Sequence, residues 1–176
     1  MKRAVFLDRD GVINRKAAEG KYVTRWEDFH FLPGVAEAIS MLHRAGWSVI
    51  VISNQRCVAK GLLTIAELET IHRKMLEELA KAGAKLDGIY YCPHDKEPPC
   101  VCRKPSPGML LTAAQEHHID LTSSWMVGDS QSDLEAGKGA GCRTVQIIAD
   151  AAAESESTDY FARSLLEASG RVLGCS

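Results

Sequence analysis

The chain has 176 residues, a net charge of −2, 45% apolar residues and 25% charged residues. That profile predicts one globular α/β-sized domain spanning 1–176, with length enough for a sizeable core. The faintly acidic balance argues against nucleic acid or a membrane surface as the main partner, and no apolar run approaches the ~20 residues that span a bilayer.

In chain order, 3–7 (RAVFL) reads as a buried strand. A helix is expected over 33–45, with Pro33 in its first turn, Val35, Ile39 and Leu42 on one face and Gly46 as its stop. The β-branched run SVIVI at 48–52 is a second strand. Residues 63–82 form the clearest helix. Thr64 and Glu67 have capping-box spacing, Leu63 and Leu68 could form a hydrophobic staple, and Ile65, Leu68, Ile71, Met75 and Leu79 make an apolar stripe. A third strand covers 88–91. Ser106 as cap and Pro107 in the first turn open a helix that runs to about His118. Residues 125–127 form a short fourth strand before Gly128-Asp129. The helix expected over 134–140 contains two glycines that weaken it. A fifth strand covers 144–148, a loop or linker 149–158, and a last strand and helix 160–161 and 164–173.

Alternating strands and helices imply crossover connections, a parallel sheet and a doubly wound fold. Such sheets bind ligands beyond the carboxyl ends of their strands, and the unusual polar residues fall there. Asp8 and Asp10 follow the first strand, Ser53 and Asn54 the second, Lys104 the third, and Asp129 and Asp133 the fourth. Carboxylates gathered at one edge repel one another unless a cation neutralises them. Hard oxygen ligands suit Mg²⁺, which bridges readily to phosphate, while Ser53, Asn54 and Lys104 are donors suited to a phosphoryl group. An aspartate aimed at phosphorus can act as nucleophile, and a second carboxyl can protonate the leaving oxygen. An isolated D-x-D would be only a turn or a cap; four groups in this order are far more specific.

DRDGVIN, SNQ, CRKPSPGM and GDSQSDLEAG, in that order, resemble the four motifs of the haloacid dehalogenase (HAD) superfamily of phosphohydrolases. The resemblance covers residues 1 to 148 and implies a HAD-like Rossmannoid sheet. It implies Asp8 as nucleophile, Asp10 as general acid/base, and Ser53 and Lys104 as phosphoryl stabilisers. It also implies Mg²⁺ held by Asp8, the Asp10 main-chain carbonyl and Asp129, with Asp133 in support. The gaps between motifs leave no room for a large cap domain.

Residues 92–102 read CPHDKEPPCVC. Cys92, His94, Cys100 and Cys102 offer three thiolates and one imidazole, the donor set of a closed structural Zn²⁺ site. The apolar stretch after Lys2 and Arg3 is too short for a signal peptide, so the expected compartment is the cytoplasm, where a disulfide framework is not expected. A zinc loop ending beside Arg103-Lys104 would position that lysine. Cys57 and Cys142 read as small buried residues, and His30, His43, His72, His117 and His118 as structural or surface residues.

The zinc loop together with CRKP narrows the resemblance to heptose 1,7-bisphosphate 7-phosphatases, with histidinol-phosphate phosphatases as the nearest relative class. It implies a small phosphorylated sugar as partner. Its substrate contacts would include Arg103, Glu19, Gly20 and Tyr22 of the first loop, and Asn54, Gln55 and Arg56 after the second strand. The family pattern N-Q-S-G…A-R-G is replaced here by Asn54-Gln55-Arg56-Cys57-Val58-Ala59-Lys60-Gly61, and lysine lacks the bidentate fork of arginine. A different class of function, a non-catalytic phosphate-binding module, has no need of an intact nucleophile. Nothing in the sequence specifies an oligomer interface, so a monomer is expected.

Overall fold

The computed structural model describes residues 1–148 and 158–174. Along the chain run strands β1 (Ala4–Leu7), β2 (Ser48–Asn54), β3 (Gly88–Cys92), β4 (Trp125–Gly128), β5 (Arg143–Ile147) and β6 (Tyr160–Ala162). The helices are α1 (Val35–Arg44), α2 (Ile65–Lys81), α3 (Gly108–His117), α4 (Gln131–Gly139) and α5 (Leu165–Gly174). The strands form one sheet in the order β3-β2-β1-β4-β5-β6, and every neighbouring pair is parallel.

Because side chains alternate along a strand, each strand feeds two cores. Val5 and Leu7, Val49 and Val51, and Trp125 and Val127 pack under α1, α2 and α5. Ala4 and Phe6, Ile50 and Ile52, and Met126 pack on the other face, with α3 and α4. The sheet is therefore doubly wound, as its near-continuous apolar strands require. The chain passes from β1 to β2 on one side and later to β4 on the other, so a crevice opens beyond the end of β1. Between β1 and α1 the only regular element is a 3₁₀ turn, Trp26–Asp28. This segment is a loop over the crevice, not a cap domain. No helix among the described residues is long and apolar enough to cross a membrane.

Several element starts differ from the sequence expectation, each for a local reason. α1 begins after Gly34, whose φ of 74° turns the chain, so Pro33 lies outside the helix. Leu166 of α5 lies against Gly34 at a distance that leaves little room for a Cβ. The Thr64–Glu67 capping box forms as expected, but residues 64–67 are all exposed. Ile65 is 47% exposed, so the packed stripe starts at Leu68. Ser106 does not cap α3; Pro107 is the N-cap, and His118 at φ 57° ends the helix. α4 starts earlier than its apolar pattern, because Ser130 and Asp133 form a capping box. Cys57 and Cys142 are buried. Of the expected 149–158 loop, 149–157 lie outside the described residues, as does Cys175.

The glycine that weakens α4 in the sequence is what lets it dock. A Cβ on Gly137 would lie 2.6 Å from Met126 Cβ and 3.0 Å from Thr144 Cγ2. Gly137→Ala should gain about 1 kcal/mol of helix propensity. It should lose about 3 kcal/mol to overpacking, the upper end of the usual range, because the nearest atom is itself a Cβ that no rotamer change removes. Urea unfolding should therefore show a net loss of stability.

Candidate active site

At the floor of the crevice lies Lys104, only 3% exposed. Its Nζ donates to Asp8 Oδ1 at 2.7 Å, to the Ile52 carbonyl at 2.7 Å, and pairs with Asp133 Oδ1 at 2.7 Å. Three elements supply these acceptors: the end of β1, β2 and the first turn of α4. Burial pulls the lysine pKa down, but Asp133 and Asp8 more than offset it, so the ammonium stays charged. Its main chain is held just as firmly. Asn54 Nδ2 donates to the Lys104 carbonyl at 3.0 Å, and Lys104 N–H donates to Asn54 Oδ1 at 3.1 Å.

Asp8 and Asp10, two residues apart, sit in different surroundings. Burial pushes the Asp8 carboxyl up; Lys104 pulls it back, while Asp133, Asp129 and Asp10 push it further up, and the net is upward. For Asp10, burial also pushes up, but Arg9, Asn14 and Gln55 outweigh it and hold it below the usual carboxylate range. Arg9 Nη2 donates to Asp10 Oδ1 at 3.0 Å, Asn14 Nδ2 donates to the same oxygen at 2.9 Å, and Gln55 Nε2 donates to Oδ2 at 3.0 Å. Gln55 also donates to Ser53 Oγ at 2.7 Å. Ser53 is thus buried one step behind the crevice lining.

One carboxylate oxygen from each of Asp8, Asp129 and Asp133 lies within 4.8 Å of the others. Among the described residues Asp129 Oδ1 is buried with no hydrogen-bond partner, and Oδ2 accepts from Lys16 Nζ at 2.7 Å. Burial pushes Asp129 up despite Lys16. An orphaned buried carboxylate oxygen within a hard-oxygen donor set fits Mg²⁺. Gly11, at φ 100°, makes the approach possible, since a Cβ there would lie 2.4 Å from Asp129 Oδ2. Gly128 does the same for Asp133, whose Cβ would meet a Cβ at 2.2 Å. The Asp10 carboxylate is not part of this cluster; its partners are Arg9, Asn14 and Gln55.

The crevice holds about 360 Å³ and is lined by Asp8, Asp10, Asn54, Arg103, Lys104 and Asp129, with Glu19, Gly20 and Tyr22 on the loop above. Gln55 also reaches the lining, but Arg56 does not. The Arg56 guanidinium pairs with Asp95 at 2.5 Å instead, and Lys60 lies 5.3 Å from the Tyr22 ring centroid.

Cys92, His94, Cys100 and Cys102 converge beside this site. Their sulfurs lie 3.2–3.5 Å apart, far beyond a disulfide bond. His94 Nδ1 lies 3.2 Å from Cys102 Sγ and 3.6 Å from Cys92 Sγ. Three thiols and one imidazole around a common centre fit tetrahedral Zn²⁺.

Two contributors gave no signal in the sequence. Lys16 sits in an irregular loop just after the first motif, and nothing in that motif points to its partner Asp129, 113 residues away. His72 is one histidine on the apolar face of α2, and it is 5% exposed. Its Nε2 lies 3.3 Å from Arg9 Nη1. Burial and then Arg9 push its pKa down to about 3, against a weaker pull from Asp10, so the ring is neutral.

Residues 101–168 match the HAD-hydrolase-like family. The chain is 41% identical over 170 residues to D-glycero-beta-D-manno-heptose-1,7-bisphosphate 7-phosphatase of Rhodopseudomonas palustris, covering 93% of this chain and 89% of that protein. It is 41% identical over 152 residues to the Escherichia coli K12 protein of the same name, covering 82% and 78%. The structure of D,D-heptose 1,7-bisphosphate phosphatase from B. bronchiseptica, complexed with magnesium and phosphate, matches with a TM-score of 0.89 and 34% identity over the whole of both chains. Likeness this extensive, on a sheet whose crevice gathers four aspartates around a buried lysine, places the chain in the HAD family beside the heptose-1,7-bisphosphate 7-phosphatases, as a phosphoric monoester hydrolase.

Proposed function

We propose that the chain removes the 7-phosphate of D-glycero-D-manno-heptose 1,7-bisphosphate through a phosphoryl-Asp8 intermediate. The observation that carries this reading is the buried Asp8–Lys104–Asp133 bridge beside Asp129. It gives a nucleophile fixed at a strand end, next to positive charge and room for a cation. The site residues support a single HAD-like domain over 1–176 working in the cytoplasm, where its clustered thiols would stay reduced.

In the first half-reaction an Asp8 carboxylate oxygen attacks phosphorus. The new O–P bond forms as the bond to the sugar oxygen breaks, and Asp10 gives that oxygen its proton. In the second half Asp10 takes a proton from water, whose oxygen attacks phosphorus and returns Asp8 with release of inorganic phosphate. Lys104 neutralises charge on Asp8 and on the transferring group. Ser53 accepts from Gln55, so its own hydroxyl hydrogen can go to a phosphoryl oxygen. Asp8, Asp129 and the Asp10 carbonyl, with Asp133 in support, would hold Mg²⁺, which spreads the phosphoryl charge when bound. Arg9, Asn14 and Gln55 keep the Asp10 carboxyl low, and a phosphate dianion brought beside it works in the opposite direction. Arg103, Glu19, Gly20 and Tyr22 are placed to meet the sugar and its second phosphate. Asn54 holds Lys104, and Arg56 acts through the zinc loop by way of Asp95.

Phosphate release with Mg²⁺ should be fastest from one anomer of heptose 1,7-bisphosphate. Histidinol phosphate as the better substrate would overturn the substrate assignment and leave the chemistry standing. Asp8→Asn should lower kcat by roughly 10³-fold or more while circular dichroism stays unchanged; retained turnover would remove Asp8 from the nucleophile role. Metal analysis should find about one zinc per chain. Stripping it with a strong chelator should lower the melting temperature and weaken catalysis, because Lys104 follows the last zinc ligand by two residues. A protein free of zinc and equally stable would rule the zinc site out.

A further inference from the structure

Arg9 holds the Asp10 carboxylate, and behind Arg9 lies a second buried residue, His72, that plays no part in the chemistry above. Arg9 borders the crevice but is only 1% exposed, and both arms of its guanidinium are engaged by protein partners. It has two polar side-chain partners: Nη2 bonds Asp10 (3.0 Å to Oδ1, 2.9 Å to Oδ2), and Nη1 bonds His72 Nε2 at 3.3 Å. Its Nε has no partner among the described residues. The ring of Phe29 lies 5.8 Å from the guanidinium carbon. Guanidinium is donor-only, so His72 Nε2 must accept, which puts the ring hydrogen on Nδ1. His72 in turn is set by its helix and by the Tyr91 ring, whose centroid lies 5.5 Å away. The result is a line from the core of α2 through Arg9 to the carboxylate of Asp10.

We propose that His72 is a positioning residue that orients Arg9, and that Arg9 thereby fixes the direction of the Asp10 carboxylate for proton delivery to the leaving oxygen. Arg9 could otherwise rotate about its side chain, and Asn14 and Gln55 each hold a single carboxylate oxygen, whereas Arg9 alone bonds both. His72 removes that freedom by occupying the second arm of the fork. This inference rests on the reading of Asp10 as the general acid.

The test compares leaving groups. A sugar phosphate expels an alkoxide that needs a proton, whereas 4-nitrophenyl phosphate expels a stable phenolate that does not. Values of kcat/KM report only the step up to phosphoryl transfer to Asp8, so the later role of Asp10 with water does not enter. His72→Phe removes the acceptor. It should lower kcat/KM for the sugar phosphate by about 10–100-fold, the scale of a misplaced catalytic group, and that for 4-nitrophenyl phosphate by less than about threefold. His72→Gln keeps an acceptor and should stay within about threefold of the unmodified protein on both. Should His72→Phe fail to fold, Arg9→Lys keeps the charge without the fork and should give the same unequal loss. Equal losses on both substrates, or none, would overturn the inference. Asp10→Asn in the same assay separates the two levels. If it too fails to discriminate between leaving groups, the general-acid reading of Asp10 falls. If it discriminates while His72→Phe and Arg9→Lys do not, only the positioning role falls.

Discussion

Everything around the crevice is organised by the burial of one ammonium group. A lysine taken out of water is costly unless its three hydrogens all find acceptors, and Lys104 Nζ has three: Asp8, Asp133 and the Ile52 carbonyl. Each belongs to a different element, so the charge can be satisfied only when β1, β2 and α4 stand in register. Removing one partner would leave charge uncompensated in the interior, which costs far more than the pair contributes. The constraint extends outward. Asp133 reaches Lys104 only because Gly128 has no Cβ, and Asp133 is itself anchored by Ser130, whose N–H and Oγ donate to its second oxygen at 3.0 and 2.7 Å.

The thiol cluster belongs to the same mechanical unit. Cys92 is the strand partner of Asn54, and Gln55 N–H donates to the Cys92 carbonyl at 2.8 Å. Asn54 clamps Lys104, and Gln55 bonds both Asp10 and Ser53. A metal gathering Cys92 and Cys102 would therefore fix both ends of the loop that carries Lys104. The intervening loop buries almost nothing, with residues 95–99 half-buried or exposed. It has no apolar core to order it, which is where a metal is most effective as a clip.

The sheet and its site motifs were legible in the sequence because their physics is local. β-branched runs give strands, 3.6-residue periodicity gives helices, and acids after strands gather at one edge. Element starts were less legible. Pro33 and Ser106 carry cap-like chemistry, but the turn at Gly34 and the approach of Val101, whose carbonyl would lie 2.1 Å from a Cβ on Gly108, decide where the helices begin. Asn54 and Gln55 were expected at the substrate, and both do line the crevice; their bonds to Lys104 and Asp10 depend on tertiary placement that no motif encodes. The same holds for Arg56, drawn to Asp95 by charge across two loops. His72 and Lys16 were invisible because their partners, Arg9 and Asp129, lie 63 and 113 residues away.

The two aspartates of D-R-D-G differ because the residue between them is not a spacer. Two carboxyls so close in sequence would titrate as a similar pair in water. Here Asp8 faces Lys104 in a crowd of other carboxylates, and the net push is upward. Asp10 turns to Arg9, Asn14 and Gln55, and the net push is downward. This separation of the resting shifts runs opposite to the proposed tasks, since a nucleophile must be ionised and a general acid protonated; a cation beside Asp8 favours its ionised form, and a phosphate dianion beside Asp10 favours its protonated one. Arg9 provides that separation while buried among apolar neighbours, where a guanidinium is held only by good geometry on both arms. The spacing D-x-D therefore sets one buried cation against the second carboxylate, while the first turns to Lys104.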